Sequence, residues 1–196
     1  VSGEDFPNIL EYLRVCIGRR VDTVRLMDLK DVTMTKIIPK LLEGIQFPKL
    51  FANFRVLSDE MGDHILNKLE KNQVDELYLD GTYIRNSRPV ELLMHLSSII
   101  RSIYISQRDP RCGKDSNYFF GAEDVEWGPV ILKMFSGELE KLSINNHWTA
   151  FLCSRSVNIL KEKLPKLGKK IWLSISCGEN ADPISYTIND HAVQGK

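Results

Sequence analysis

Four aspartates are the residues of this 196-residue chain that are best placed to do chemistry. They are Asp28, Asp59, Asp80 and Asp109. Each lies at or just beyond the end of a predicted strand, the edge where α/β enzymes carry catalytic carboxylates. Aspartate is also a common capping and turn residue there, and Gly81 alone makes no phosphate-binding glycine loop. We favour the structural role and expect no catalytic residue; a small α/β enzyme that uses these aspartates is the alternative.

The histidines and cysteines do not form a metal-binding pattern. The four histidines are scattered without an H-E-x-x-H motif, and the four cysteines contain no C-x-x-C pair. We therefore expect no metal site and no cofactor. Widely spaced cysteines in a chain of this length fit reduced thiols in a cytoplasmic or nuclear protein, and Cys153 is expected to be buried.

A basic and aromatic insertion over residues 108–122 is a further candidate site. Its candidate contact residues are Arg108, Arg111, Lys114, Tyr118 and Phe119. Such residues could bind phosphate and stack on bases, or they could form an ordinary mobile surface loop. Lysine plus arginine equals aspartate plus glutamate at 26 each, so no overall field attracts nucleic acid. We favour a loop or a peptide contact, and an RNA-binding repeat protein is the alternative.

Six short apolar stretches, each followed by a helical pattern, predict the elements that position these residues. The predicted strands start at residues 24, 54, 77, 103, 142 and 171, in steps of 30, 23, 26, 39 and 29 residues. Steps of this length are typical of stacked repeats, and short strand–helix–strand connections require parallel strands. We predict a single domain, with a capping helix over 1–20, repeats over 21–178 and a C-terminal strand and tail over 179–196.

Alternate strand positions indicate where the helices lie. One set is apolar: Leu26, Leu79, Ile105, Ile144 and Leu173. The other set is polar or amphipathic: Arg25, Arg55, Tyr78, Asp80, Tyr104, Ser143, Asn145 and Trp172. A doubly wound sheet needs apolar residues at both sets. The pattern therefore predicts an open α/β arc of parallel strands with helices on one face and the other face exposed.

The exposed set is the predicted partner-binding surface. Arginine, tyrosine and tryptophan are over-represented at binding hot spots, although such rings could equally just pack on one another. No apolar run is long enough to cross a membrane. We predict a protein or peptide partner rather than nucleic acid or a membrane.

Four segments of the chain carry a resemblance to a known family. They are V-D-T-V-R-L-M-D-L, V-D-E-L-Y-L-D-G, L-E-K-L-S-I-N-N and K-K-I-W-L-S-I, each beside a Leu/Ile-rich helix. They resemble degenerate leucine-rich repeats, and in particular the strand–helix domains of nematode F-box-associated (FTH-type) proteins, over most of residues 21–176. The resemblance implies a substrate-recognition domain of a ubiquitin ligase, joined to its adaptor through an F-box in a segment outside this chain.

Overall fold

Strands and helices alternate along the chain. The structure is a computed structural model that describes residues 22–29, 46–54, 56–58, 69, 74–80, 83–85, 89–107, 125–146, 152–177, 184–189 and 192–195. The strands are β1 (Thr23–Leu29), β2 (Lys49–Phe54), β3 (Val56–Ser58), β4 (Glu76–Asp80), β5 (Tyr83–Arg85), β6 (Ser102–Gln107), β7 (Lys141–Asn146), β8 (Ile171–Cys177), β9 (Ile184–Asn189) and β10 (Ala192–Gly195). The helices are α1 (Pro89–Ile99), α2 (Trp127–Phe135) and α3 (Ser154–Lys163), and a 3₁₀ turn over Leu164–Leu167 follows α3.

The main sheet has eight strands in the order β1-β2-β4-β6-β7-β8-β9-β10. Its first six strands are parallel, and β9 and β10 join antiparallel, so the chain is an α/β protein. Each parallel strand is added on the same side of the one before it, and the described helices pack with the inward strand residues in one core. Open α/β enzymes form their ligand crevice at the point where the strand order reverses. The six parallel strands described here follow one another without such a reversal.

A continuous core lies between the sheet and the described helices. Strand residues such as Leu79, Ile105 and Leu173 are at most 3% exposed, and they form one cluster with helix residues such as Ile131 and Leu160. Fully burying an aliphatic side chain of this size stabilises the fold by about 1.5–3 kcal/mol. The predicted alternation is confirmed for β4, β6, β7 and β8, whose intervening outward positions on the strands are mostly half-buried.

Local sequence signals explain the ends of two helices. Helix α1 begins at Pro89, which is suited to the first turn because it has no N–H to leave unpaired. Near Pro165 the last helix tightens into the 3₁₀ turn, and Gly168 follows with a φ of +64°. Glycine adopts this left-handed conformation without steric cost.

The predicted position of the second strand is wrong. β2 starts at Lys49, directly after Pro48 and not at residue 54, and it pairs with β1 through Val24 opposite Leu50. The predicted strand starting at Phe54 instead spans the end of β2 and the short β3, which pairs with β5 in a separate two-stranded sheet. With observed starts at 23, 49, 76, 102, 141 and 171 the steps become 26, 27, 26, 39 and 30 residues, so the first three steps become more regular.

The C-terminal part adds two strands. The predicted strand around Tyr186 is confirmed as β9, which pairs with β8, whereas β10 was not expected from the sequence. The capping helix over 1–20 and the insertion over 108–122 lie outside the described residues. Of the helix expected after β3, only Leu69 is described, and it is helical and buried.

Candidate functional site: aromatic rings stacked across the strand face

The register of the parallel strands places one row of side chains across the sheet. Arg25 lies opposite Phe51, Phe51 opposite Tyr78, Tyr78 opposite Tyr104, and Tyr104 opposite Ser143. Neighbouring strands are about 4.8 Å apart, and every second residue points to the same face. Aromatic residues at matched positions must therefore lie directly beside one another.

Three of these side chains form a stack of nearly parallel rings. The ring centroids of Phe51 and Tyr78 are 3.9 Å apart with the planes inclined by 10°, and those of Tyr78 and Tyr104 are 4.2 Å apart at 2°. The guanidinium carbon of Arg25 lies 5.1 Å from the centroid of Phe51, within cation–π distance. Aromatic pairs contribute about 0.5–1.5 kcal/mol each beyond their buried area.

Trp172 ends the row differently. Its ring centroid is 6.2 Å from that of Tyr104 and its plane is inclined by 44°, because β7 lies between the two strands and carries Ser143 in place of a ring. In the backbone register Trp172 pairs with Lys141, one outward position before Ser143. We call the set Arg25, Phe51, Tyr78, Tyr104 and Trp172 the strand-face ladder.

A charged network fixes the hydroxyl of Tyr78. The Tyr78 hydroxyl donates a hydrogen bond to Oε2 of Glu76 at 3.0 Å. Nζ of Lys49 lies 3.0 Å from Oε1 of the same carboxylate. Burial acts to raise the pKa of Glu76, but the hydrogen bonds from Lys49 and Tyr78 and the charges of Lys49 and Lys141 lower it below its ordinary value. Burial and the hydrogen bond to Glu76 raise the pKa of Tyr78, so the phenol remains a donor at neutral pH.

Beyond Tyr104 the strand face changes to short polar side chains. Ser143 pairs with Ser174, and Asn145 pairs with Ser106 on one side and Ser176 on the other. All five are half-buried. The aromatic part of the face therefore borders a region of shorter side chains that carry hydroxyl and amide groups.

The structure brings six of the eight sequence-predicted strand-face residues onto this surface with described side chains. They are Arg25, Tyr78, Tyr104, Ser143, Asn145 and Trp172. Asp80 is the last residue of β4, in register with Ser106. Arg55 and the insertion residues Arg108, Arg111, Lys114, Tyr118 and Phe119 lie outside the described residues.

Phe51 is the ladder residue that sequence reasoning missed. The signal was present: Pro48 precedes a run in which Leu50 and Ala52 alternate with Lys49 and Phe51, which is the period-two pattern of a half-buried strand. The predicted strand was placed instead on the next apolar stretch, which begins at Phe54 and contains Val56 and Leu57.

Two of the four candidate aspartates lie on described strands, and these two strands are not neighbours in the sheet. Asp28 lies on β1 and Asp80 on β4, with β2 between them; Asp59 and Asp109 lie outside the described residues. Within the described part of the chain, no group of three or more histidine, cysteine, aspartate or glutamate residues could hold a metal ion.

Cys153 is exposed, so the prediction of a buried thiol is wrong. It is the N-cap of α3, and the inward positions of that helix belong to Ser156 and Leu160. Its sulfur lies 3.4 Å from Oγ of Ser156, and this hydrogen bond lowers the pKa of the thiol.

Sequence comparison adds no relative. The chain matches no protein-family model, and no curated protein sequence matches it. None of the helices in the described ranges is long and apolar enough to cross a membrane.

Proposed function

We propose that this chain is a protein-interaction module that binds a protein or peptide through the strand-face ladder. The observation that carries the proposal is the row of Arg25, Phe51, Tyr78 and Tyr104, with Trp172 beyond it, on the sheet face opposite the described helices. Arg25 is exposed and the four rings are each partly exposed. These residue types provide large contact area with few rotatable bonds to immobilise.

Mutual stacking makes the ladder a rigid surface. Phe51, Tyr78 and Tyr104 hold each other in place through their ring faces, and Glu76 holds the Tyr78 hydroxyl. Little side-chain entropy remains to be lost when a partner binds, which favours affinity. Both faces of the Tyr78 ring are covered in this stack, so its ring edge is the apolar group that it offers to that partner.

We further propose that the repeats form a leucine-rich-repeat-like arc with this face on the concave side. Strand spacing in a sheet is about 4.7–4.9 Å, whereas the ring centroids of Phe51, Tyr78 and Tyr104 are 3.9 and 4.2 Å apart. On a concave sheet face, the side chains of neighbouring strands lie closer together than the strands themselves. Repeat proteins use such concave surfaces for binding.

The resemblance to F-box-associated domains specifies the biological context that we propose. The four segments that carry it overlap β1, β4, β7 and β8, and three of these strands carry ladder residues: Arg25, Tyr78 and Trp172. In this proposal the chain selects the substrate of a ubiquitin-ligase-type adaptor protein. An F-box preceding Val1 in the encoded protein is the expected finding, and its absence would remove the link to a ubiquitin ligase.

A matched pair of variants tests the recognition function. Trp172→Ala removes a partly exposed ring from the ladder, and Leu132→Ala removes a half-buried side chain that packs on the core from α2. Each immobilised variant is incubated with a eukaryotic cell extract, and the captured proteins are quantified against the wild type. Truncation of a binding hot spot costs about 2 kcal/mol or more, so capture by Trp172→Ala should fall more than about tenfold.

The control separates binding from folding. Leu132→Ala should lose comparable stability in thermal unfolding yet retain capture, because it leaves the strand face intact. Equal loss of capture in both variants would attribute the effect to stability alone. If Trp172→Ala captured as much protein as the wild type, the binding site would lie outside the strand-face ladder.

A further inference from the structure

The described side chains of the strand face carry an excess of positive charge. Arg25 is exposed on β1 and Lys141 is exposed on β7. Glu76 has the one carboxylate among the described side chains of this face, and it already contacts Lys49 and Tyr78. Among the side chains described on this face, three cations thus accompany one anion. The whole chain has no net charge, so this excess is local.

The spacing of the two exposed cations sets the length of a ligand that could reach both. β1 and β7 are separated by four strand spacings, and Lys141 lies one outward position earlier along its strand than the row of Arg25. At about 4.8 Å per strand and 3.3 Å per residue the two positions are about 20 Å apart. An extended peptide covers that distance in about six residues.

The stacked rings argue against nucleic acid as the ligand. A base that stacks needs a free ring face, but the faces of Tyr78 are covered on both sides at 3.9 and 4.2 Å. The carboxylate of Glu76 lies beside the same ring and would repel any anionic group placed there, a phosphate or a carboxylate alike, so an anionic ligand needs its charges away from the centre of the stack. A peptide needs neither a free ring face nor an unbroken positive track.

We propose that the strand-face ladder binds an extended acidic peptide segment that crosses the strands, with two carboxylates about five or six residues apart. One carboxylate pairs with Arg25 and the other with Lys141, and apolar side chains between them contact the edges of Tyr78, Tyr104 and Trp172. This inference rests on the proposed recognition function and names the chemistry of its partner.

Selection from a phage-displayed library of random 12-residue peptides tests the proposal. The wild-type chain should enrich peptides with two aspartates or glutamates at the stated spacing and apolar residues between them. The strongest peptide is then synthesised with a fluorescent label and its affinity measured by anisotropy. At physiological salt the double variant Arg25→Glu/Lys141→Glu should weaken binding by at least about tenfold, since each reversal replaces an attraction with a repulsion.

The matched control is Lys163→Glu/Lys170→Glu, which makes the same change in net charge at exposed positions outside the ladder. It should change the affinity by less than about twofold. An equal loss in both double variants would overturn the proposal, because the effect would then be one of overall charge.

The remaining outcomes distinguish the inference from the proposed function. Enriched peptides that lack acidic residues but no longer bind Trp172→Ala would overturn the inference and leave the recognition function standing. Failure to select any peptide whose binding depends on Trp172 would overturn both the inference and the proposed recognition function. Tighter binding of a labelled 12-nucleotide poly-uridine strand than of the best peptide would overturn the acidic-peptide assignment in favour of RNA.

Discussion

At the residue scale, Tyr78 combines two interactions in one side chain. Its ring is stacked between Phe51 and Tyr104, and its hydroxyl donates to Glu76. The ring contacts depend on strand register, whereas the hydroxyl contact links residues two apart on one strand. Substitutions that keep or remove the ring separate the two contributions.

Tyr78→Phe keeps the stack and loses the donor, so we expect it to cost about 1 kcal/mol of unfolding free energy. Tyr78→Ala also loses two ring contacts and part of the buried area, and we expect about 2 kcal/mol more. Urea unfolding of both variants measures the difference. Equal losses would mean that the stacked rings contribute nothing to stability.

Glu76→Gln tests the charge of the Lys49–Glu76–Tyr78 network. The pKa of Glu76 is lowered in the folded protein, so its stabilising effect is complete above the ordinary value of about 4.5 and is lost as the pH falls through the folded-state pKa. We expect the variant to be about 1 kcal/mol less stable than the wild type at pH 7.

The pH dependence distinguishes this effect from a packing defect. The stability difference between wild type and Glu76→Gln should shrink as the pH is lowered below about 4.5. Denaturant unfolding at several pH values measures it. A difference that stays constant from pH 7 to pH 3 would show that the charge of Glu76 has no role.

At the scale of elements, α2 and α3 approach each other closely through a glycine. A Cβ added to Gly128 would lie 2.7 Å from Cα and 2.9 Å from the carbonyl oxygen of Ser156. Ser156 is itself only 2% exposed. The packing of the two helices therefore requires the absence of a side chain at Gly128.

Gly128→Ala tests that contact. Alanine is favoured over glycine in a helix by about 1 kcal/mol, but overpacking against the backbone costs about 1–3 kcal/mol or more. Because backbone atoms of α3 cannot yield as a flexible side chain would, we expect a net loss of about 2 kcal/mol. Thermal unfolding measures it, and a gain in stability would contradict the close approach.

Gly137→Ala serves as the comparison, since an added Cβ there would have its nearest neighbour at 3.5 Å. It should change stability by less than about 0.5 kcal/mol. Ser156→Ala should not rescue Gly128→Ala, because the clashing Cα and carbonyl oxygen of residue 156 remain.

At the scale of the whole molecule, we expect stability to be greatest in the middle of the main sheet. β6 and β7 each pair with a strand on both sides, and their inward residues Ile103 and Leu142 are 0% exposed. β10 pairs with β9 alone, as the last strand of the order. Protection should therefore fall from the centre of the sheet towards that edge.

Hydrogen exchange followed by mass spectrometry measures this gradient. We expect peptides from β6 and β7 to exchange at rates set by global unfolding, and those from β10 to exchange through local fraying. The difference should persist in Gly128→Ala, because that variant alters helix packing and leaves the strand order intact. Uniform exchange across the sheet would contradict the gradient.

Features that depend on near neighbours in the chain could be predicted from the sequence. The alternation of Tyr78 with Leu79 and of Tyr104 with Ile105 indicated which strand face is buried, because successive strand side chains point to opposite faces. Pro89 and Gly168 marked helix ends through their own backbone preferences. The α/β class and most of the described residues of the strand face followed from these local rules.

Features that depend on pairing between distant segments were decided only by the tertiary structure. The register of β2 brings Phe51 between Arg25 and Tyr78, and two apolar runs close together on one segment left that register open. The attachment of β10, the exposure of Cys153 and the bridge from Lys49 to Glu76 depend in the same way on neighbours supplied by the fold. Local sequence determines which side chains face outward; cross-strand register determines which of them touch.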